Sequence, residues 1–254
     1  MIDAIKLRIL QGDPIVHDVK NASLPKLFRG LPAIADKPCP EGCDKCAAIC
    51  PVNAVTTAPL SIDLGVCTFC PLCEEACPGK LIHYTNNYHL ASDKRENLIV
   101  TRKTKAITAE QASEKIRDYF GQSLKLRQVS AGGCNGCELE LNALSNVNFD
   151  MGRFGIEFVA SPRHADGIVI TGPITGNMSN PLAVCYEAVP NPKIIILVGA
   201  CAISGHIFKK SSQLQRKFLE ENKIDLYVPG CPTHPLTFIT GILGLIGRYS
   251  FSDK

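Results

Sequence analysis

The sequence predicts an α/β protein: a mainly parallel sheet with helices on both faces over residues 124–254, joined to a smaller cysteine-rich α+β unit. Three observations predict it. From Leu124 onward, short β-rich runs alternate with helix-length segments, the order that builds a parallel sheet covered by helices. The runs DGIVITGP (166–173) and KIIILVGA (193–200) are almost wholly apolar, as central strands buried on both sides must be. Eight of the 13 cysteines crowd between residues 39 and 77. That density marks off a separate unit with its own chemistry.

Taken in order, residues 1–37 read as an N-terminal arm with few clear elements. LPKLF and LPAIADKP look extended, with turns at Pro25, Pro32 and Pro38. The cysteine-rich unit occupies 38–90. Residues 91–123 read as a connector. Leu98–Thr101 forms a short strand there, followed by a helix over AEQASEKIRDYF. Thr108 caps that helix, Gln111 completes a capping box, and Gly121 lies past its end. The helix is largely polar, which suits a surface between domains. In 124–254 the strands are LKLRQVS (124–130), GIEFVAS (155–161), DGIVITGP, KIIILVGA and DLYVPG (225–230). The helical segments between them are NMSNPLAVCYEAV, SSQLQRKFLEEN and PLTFITGILGLIG.

Composition narrows the function. A net charge of +3 on 254 residues is too mild to argue for nucleic acid or an anionic membrane. No run reaches the roughly 18–20 apolar residues that span a bilayer. MIDAIKLRIL lacks the basic region, apolar core and cleavage site of a signal peptide. A cytoplasmic protein is therefore expected, and dense cysteine in such a chain binds metal more often than it forms disulfides.

The eight cysteines form two halves, CPEGCDKCAAICP (39–51) and CTFCPLCEEACP (67–78). The second is an unbroken C-x2-C-x2-C-x3-C-P, and the first carries one extra residue after Cys39. Cys43, Cys46 and Cys50 recur 27 residues later as Cys70, Cys73 and Cys77. In two-cluster bacterial ferredoxins, three cysteines of each run bind one [4Fe-4S] cluster and the fourth binds the other. On that pattern Cys39, Cys43, Cys46 and Cys77 hold cluster one, and Cys67, Cys70, Cys73 and Cys50 hold cluster two. Zinc is the rival: Cys43, Cys46, Cys67 and Cys70 have the spacing of a zinc ribbon. It leaves four cysteines and both Cys-Pro endings unused.

A second set lies downstream. Cys134 and Cys137 form C-x2-C after the first strand of the sheet, Cys201 follows KIIILVGA, and Cys231 follows DLYVPG. Strand C-terminal ends share one edge of a parallel sheet, where ligands bind. These four cysteines are therefore placed to converge on one more [4Fe-4S] site. Gly132, Gly133, Gly199, Gly205 and Gly230 flank them and allow close approach of backbone to a bulky cluster. A redox dithiol is the rival for Cys134 and Cys137 alone. Cys185, in LAVCYEAV, reads as a buried structural thiol.

The segments GCNGCELEL, RFGIEFVASPRHADGIVITGP, VGACAISG and VPGCPTHP resemble the small electron-transfer subunit of membrane-associated group 4 [NiFe] hydrogenases, formate hydrogenlyase-type enzymes included. The complex I subunit that holds the last cluster before quinone is similar. The upstream unit resembles the ferredoxin-like subunit of the same complexes, so the chain resembles a fusion of the two. The resemblance implies a flavodoxin-like fold for 124–254 and a proximal cluster on Cys134, Cys137, Cys201 and Cys231. It implies three [4Fe-4S] clusters and no catalytic centre in this chain. It implies as partners a hydrogenase-type large subunit, membrane-embedded complex I-like subunits, and a formate dehydrogenase or other redox donor. The expected place is peripheral to the inner membrane. Ser204-Gly205-His206 and Cys231-Pro232-Thr233 depart from the family's usual S-G-G and G-C-P-P without removing a ligand. His206 is expected to be an exposed interface residue, with tuning of the cluster potential or a proton relay as the alternatives. Glu138 and Glu140 are expected to favour the helix dipole beside the cluster loop, with a proton path as the alternative. Arg163 and His164 either contact a partner or cap local structure. Two functional alternatives remain: a complex I-like or nickel-free wire, and a zinc-stabilised assembly or regulatory protein.

Overall fold

The computed structural model describes residues 2–109 and 114–248. The arm carries a helix, α1 (Ile2–Gln11), in a stretch whose sequence pattern predicts no clear element. Its short strand β1 (Pro32–Ile34) pairs antiparallel with β4 (Ile82–Tyr84) across the cysteine-rich unit. Between them come α2 (Lys45–Ala48), the hairpin β2 (Val55–Thr57) and β3 (Leu60–Asp63), and α3 (Leu72–Ala76). β5 (Ile99–Thr101) adds to the free edge of β3.

The 27-residue sequence repeat is a structural repeat. Lys45 and Leu72 open the two helices, and Val55 and Ile82 open strands β2 and β4, each pair 27 apart. Asn53 and Lys80, at matching positions, both take positive φ, 54° and 47°. The two halves bend their chains in the same way because each must turn sharply back after its Cys-Pro.

α4 (Glu114–Phe120) is the connector helix, and Gly121 closes it by donating to Arg117 O. Its expected start through Gln111 lies outside the described residues. The sheet follows: β6 (Leu124–Ser130), α5 (Gly136–Ala143), β7 (Ile156–Phe158), β8 (Gly167–Thr171), α6 (Gly176–Ala188), β9 (Ile194–Val198), α7 (Ala200–Ser204), α8 (Lys217–Glu221), β10 (Leu226–Val228) and α9 (Pro235–Leu245). The strands pair in the order β7-β6-β8-β9-β10, every neighbour parallel. Counted from its own first strand this is 2-1-3-4-5, a doubly wound order. α8 is shorter than SSQLQRKFLEEN suggests. Residues 213–215 run extended instead, with Gln213 O accepting from Gly176 N and Gln215 N donating to Ile174 O.

All five residues of β8 and of β9 are buried. Their side chains alternate between two cores, as a pleated strand requires. Ile168, Ile170, Ile195 and Leu197 face α6, α8 and the cysteine-rich unit, whose Leu64, Ile82 and Leu98 belong to the same apolar cluster. Val169, Ile194 and Ile196 face α5 and α9. α9 is buried all round, which explains the apolar PLTFITGILGLIG: it is a core helix. Among the described residues no helix is long and apolar enough to cross a membrane.

The cysteine-rich unit is fastened to the sheet. Ser92 and Tyr227 exchange both backbone hydrogen bonds, at 3.0 and 2.8 Å, along the outer edge of β10. Gly65 lies so close to α7 that a Cβ there would meet Ile203 Cγ2 at 2.8 Å.

Candidate functional site

The C-terminal ends of β6, β9 and β10 deliver the second cysteine set to one edge. Cys134 sits in the turn after β6, Cys137 in the first turn of α5, Cys201 in α7, and Cys231 directly after Gly230. Burial, then Cys231, Cys137 and Cys134 as neighbours, push the Cys201 thiol up to about 12. Burial pushes Cys137 up to about 11, against a hydrogen bond from the Thr233 amide to its sulfur, with Glu138, Cys231 and Cys134 adding to the rise. Cys231 rises through burial and Cys134. The four thiols thus feel one another, as their strand-end positions predict. Cys134 and Cys231 are exposed while Cys137 and Cys201 are half-buried, so the group opens on the surface. A glycine makes room here: a Cβ on Gly199 would lie 2.5 Å from Cys137 Sγ.

Three side chains that the cysteine pattern does not flag hold this edge in place. Glu138 is buried, and its Oε1 accepts from Ser130 Oγ at 2.6 Å and Thr171 Oγ1 at 2.7 Å. It ties the Cys137 helix to the ends of β6 and β8. This goes beyond the helix-dipole role expected of it. Arg216 spreads its guanidinium over four backbone carbonyls: Pro173 and Cys201 at 3.0 and 3.2 Å, Ala202 and Ile203 at 2.7 and 3.1 Å. One fork caps the short Cys201 helix, whose last carbonyls otherwise lack donors. His234 caps α9 by accepting from Leu236 N, and Phe28 and Phe149 meet its ring edge-on. Burial lowers its pKa to about 4. Of the three, only Glu138 is hinted at by its place in the sequence; the partners of Arg216 lie 13 to 43 residues away.

Other expectations fare differently. His206 is buried, not exposed, and its Nε2 has no partner among the described residues. The tight turn after Gly205 (φ +81°) folds it inward, with φ +48° at His206 itself. Cys185 is half-buried rather than fully buried; burial raises its pKa and the Arg127 charge nearby acts the other way. Glu140 is raised by burial. Arg163 and His164 are exposed on a 3-10 turn before β8.

The upstream cysteines fall into two groups. Cys46 is raised by burial and then by Cys77 and Cys39. Cys43 lies on the turn between Cys39 and the α2 helix that carries Cys46. Burial pushes Cys67 up to about 11, with Cys73 and Cys50 contributing. Cys73 is raised by burial and then by Cys70 and Cys50. Each fourth cysteine, Cys50 or Cys77, thus stands with the opposite run. Backbone amides point at the sulfurs in repeat-related pairs, Ala54 N to Cys50 Sγ at 3.2 Å and Leu81 N to Cys77 Sγ at 3.3 Å. Phe69 N adds one to Cys67 Sγ at 3.2 Å. Tyr84, also unmarked by the sequence pattern, places its hydroxyl 3.4 Å from Cys67 Sγ and 3.6 Å from Cys73 Sγ.

The thiols of each set are neighbours without closing on a point. Among the described residues no three Cys, His, Asp or Glu side chains are drawn together tightly enough for a single metal ion. A cavity of about 230 Å³ lies where the two units meet, lined on one side by Thr68 and Phe69 and on the other by Cys231, Pro232 and His234. The arm reaches the same place: Arg29 Nε donates to Phe69 O at 2.6 Å.

Residues 134–245 match the family model for the NADH ubiquinone oxidoreductase, 20 Kd subunit. A "probable membrane-bound hydrogenase subunit" of Pyrococcus furiosus is 37% identical over 125 residues, covering 49% of this chain and 75% of that one. Formate hydrogenlyase subunit 7 of Escherichia coli is 40% identical over 126 residues, and the match spans about half of each chain. An NADH-quinone oxidoreductase subunit of Bacteroides thetaiotaomicron is 42% identical over 110 residues, 43% of this chain and 56% of that one. A chain in the solved membrane-bound sulfane sulfur reductase, an archaeal respiratory membrane complex, is 28% identical. It aligns with a TM-score of 0.46 over 54% of this chain and 75% of its own length.

Proposed function

Since the chain belongs to the family of the NADH ubiquinone oxidoreductase 20 Kd subunit, we propose that it is the electron-transfer subunit of a membrane-associated oxidoreductase complex of the group 4 [NiFe] hydrogenase type. It carries three [4Fe-4S] clusters in two modules, a ferredoxin-like unit over 38–90 and a flavodoxin-like proximal-cluster unit over 124–254, with an arm (1–37) and a connector (91–123). Cys39, Cys43, Cys46 and Cys77 hold the first cluster, Cys50, Cys67, Cys70 and Cys73 the second, and Cys134, Cys137, Cys201 and Cys231 the proximal one.

The observation that carries the reading is the meeting of Cys134, Cys137, Cys201 and Cys231 at one sheet edge from three separate strand ends. The donor set fits the group. Four soft thiols gather at one edge, and Gly199 leaves beside Cys137 the space that a Cβ would fill. When bound, each cluster takes up and releases one electron. The chain's own part is to hold the thiolates, exclude water from the buried sulfurs, and fix the spacing between sites. The Thr68–Phe69 loop of the second set faces Cys231 across the shared cavity. That supports an order in which the first cluster is the outer end of the wire and the proximal cluster the inner end.

The exposed thiols Cys134 and Cys231 support a further subunit seated on this edge. In the reading favoured here that subunit is a nickel–iron large subunit, so catalysis lies outside this chain, which sits peripherally on the cytoplasmic side. The likeness to an NADH-quinone oxidoreductase subunit supports a second reading, a complex I-like or nickel-free partner. Nickel analysis of the large subunit that co-purifies separates the two. The cofactor claim is tested by anaerobic purification with iron, sulfide and zinc analysis. About twelve iron and twelve sulfide per chain are expected for three four-iron clusters; zinc with little iron sinks the proposal.

A further inference from the structure

The two halves of the cysteine-rich unit share their cysteine spacing and their turns, and one of the matched positions at which their side chains differ stands against the sulfurs. Tyr84 in β4 corresponds to Thr57 in β2, 27 residues earlier. Tyr84 is 5% exposed and its hydroxyl reaches both Cys67 Sγ and Cys73 Sγ, at 3.4 and 3.6 Å. Thr57 instead lines a cavity of about 550 Å³ together with Cys39, Pro59, Arg102 and Lys103. Where one half is open to solvent, the other is closed by a phenol.

Burial and exposure act on an iron–sulfur centre through the charge it gains on reduction. Water stabilises the more negative reduced form, and so do hydrogen bonds donated to the sulfurs. A buried centre loses the water. Each set has two buried and two half-buried cysteines, Cys46 and Cys77 with Cys39 and Cys43, and Cys67 and Cys73 with Cys50 and Cys70. What differs is that Cys39 lines an open cavity while Cys67 and Cys73 share a phenol. Arg102 and Lys103 on that cavity are exposed, so solvent and salt screen their charge.

We propose that Tyr84 sets the two upstream centres apart: its O–H, shared between the Cys67 and Cys73 sulfurs, raises that centre's reduction potential so that it accepts an electron from its twin, which has Thr57 at the matched position. An iron-bound thiolate only accepts, so the phenol is the donor. One electron leaves the reduced centre on the Cys39 set and reduces the centre on the Cys67 set, and no proton moves. The inference rests on the reading of Cys50, Cys67, Cys70 and Cys73 as cluster ligands.

The test is a redox titration of the purified holoprotein followed by electron paramagnetic resonance. In Tyr84→Phe one of the two upstream signals should move to lower potential while the other and the proximal signal stay in place. Biosynthetic replacement of tyrosine by 3-fluorotyrosine leaves the fold intact and makes the phenol a stronger donor, so the same signal should move to higher potential. The fluorinated protein decides the matter if Tyr84→Phe does not assemble. Unmoved midpoints, or equal movement of both upstream signals, overturn the role of Tyr84. Absence of two upstream signals from the wild type overturns the ligand reading beneath it.

Discussion

Gly199 stands directly against Cys137: a Cβ on the glycine would lie 2.5 Å from the cysteine sulfur. Gly199 also has φ +88° and ψ 155°, a conformation essentially closed to other residues, at about 1–3 kcal/mol for a side chain forced into it. Both demands fall at the junction between β9 and the helix that carries Cys201. Gly199→Ala should therefore abolish the proximal-cluster signal while leaving the two upstream signals. Gly12→Ala serves as the control, since φ is +67° there and nothing lies within 4 Å. That change should cost stability without touching any signal.

Glu138 makes a second prediction. Glu138→Ala removes the acceptor of the Ser130 and Thr171 hydroxyls; Ser130 is exposed and turns to water, while fully buried Thr171 is left with only a long bond to Val129 O at 3.5 Å. One poorly satisfied buried group costs about 1–3 kcal/mol, so a loss of about 2 kcal/mol is expected in chemical unfolding. Glu138→Gln keeps an acceptor oxygen and should lose less than half of that. Equal losses in the two variants would show that the carboxylate's hydrogen bonds do not hold the edge.

His234 predicts a pH dependence. Its folded pKa, about 4 through burial, lies below the unfolded value of about 6.5. Between those limits the unfolded chain binds a proton that the folded chain does not. Stability therefore rises with pH across this window and is lost as pH falls below about 6.5. Thermal midpoints recorded from about pH 5.5 to about pH 7.5, a range that brackets the unfolded value, should climb in the wild type. They should climb less in His234→Asn, which retains an acceptor for Leu236 N–H but does not titrate.

The legible parts of the molecule are those written in spacing and period. β8 and β9 announce themselves as apolar runs. Cys201 and Cys231, 30 residues apart, meet because parallel strands end on one edge, which topology alone requires. The 27-residue offset marks the structural repeat in the letters themselves. Residues whose roles depend on partners far along the chain are not legible. Tyr84 looks like any aromatic in a strand, and Arg216 like any cation in a polar run. His206 is buried because a glycine turn folds it inward, which a single residue letter does not encode. α1 escapes the pattern because Ile5, Leu7, Ile9 and Leu10 are exposed, so they do not mark out one buried stripe.

On the function proposed above, Cys134, Cys137, Cys201 and Cys231 form one centre, independent of the eight upstream cysteines. The most direct measurement is spin-quantified electron paramagnetic resonance of the reduced protein, wild type against Cys231→Ala, with iron counted in each. Three signals should fall to two, with about eight iron retained as two four-iron clusters require. Loss of every signal, or of none, would contradict it.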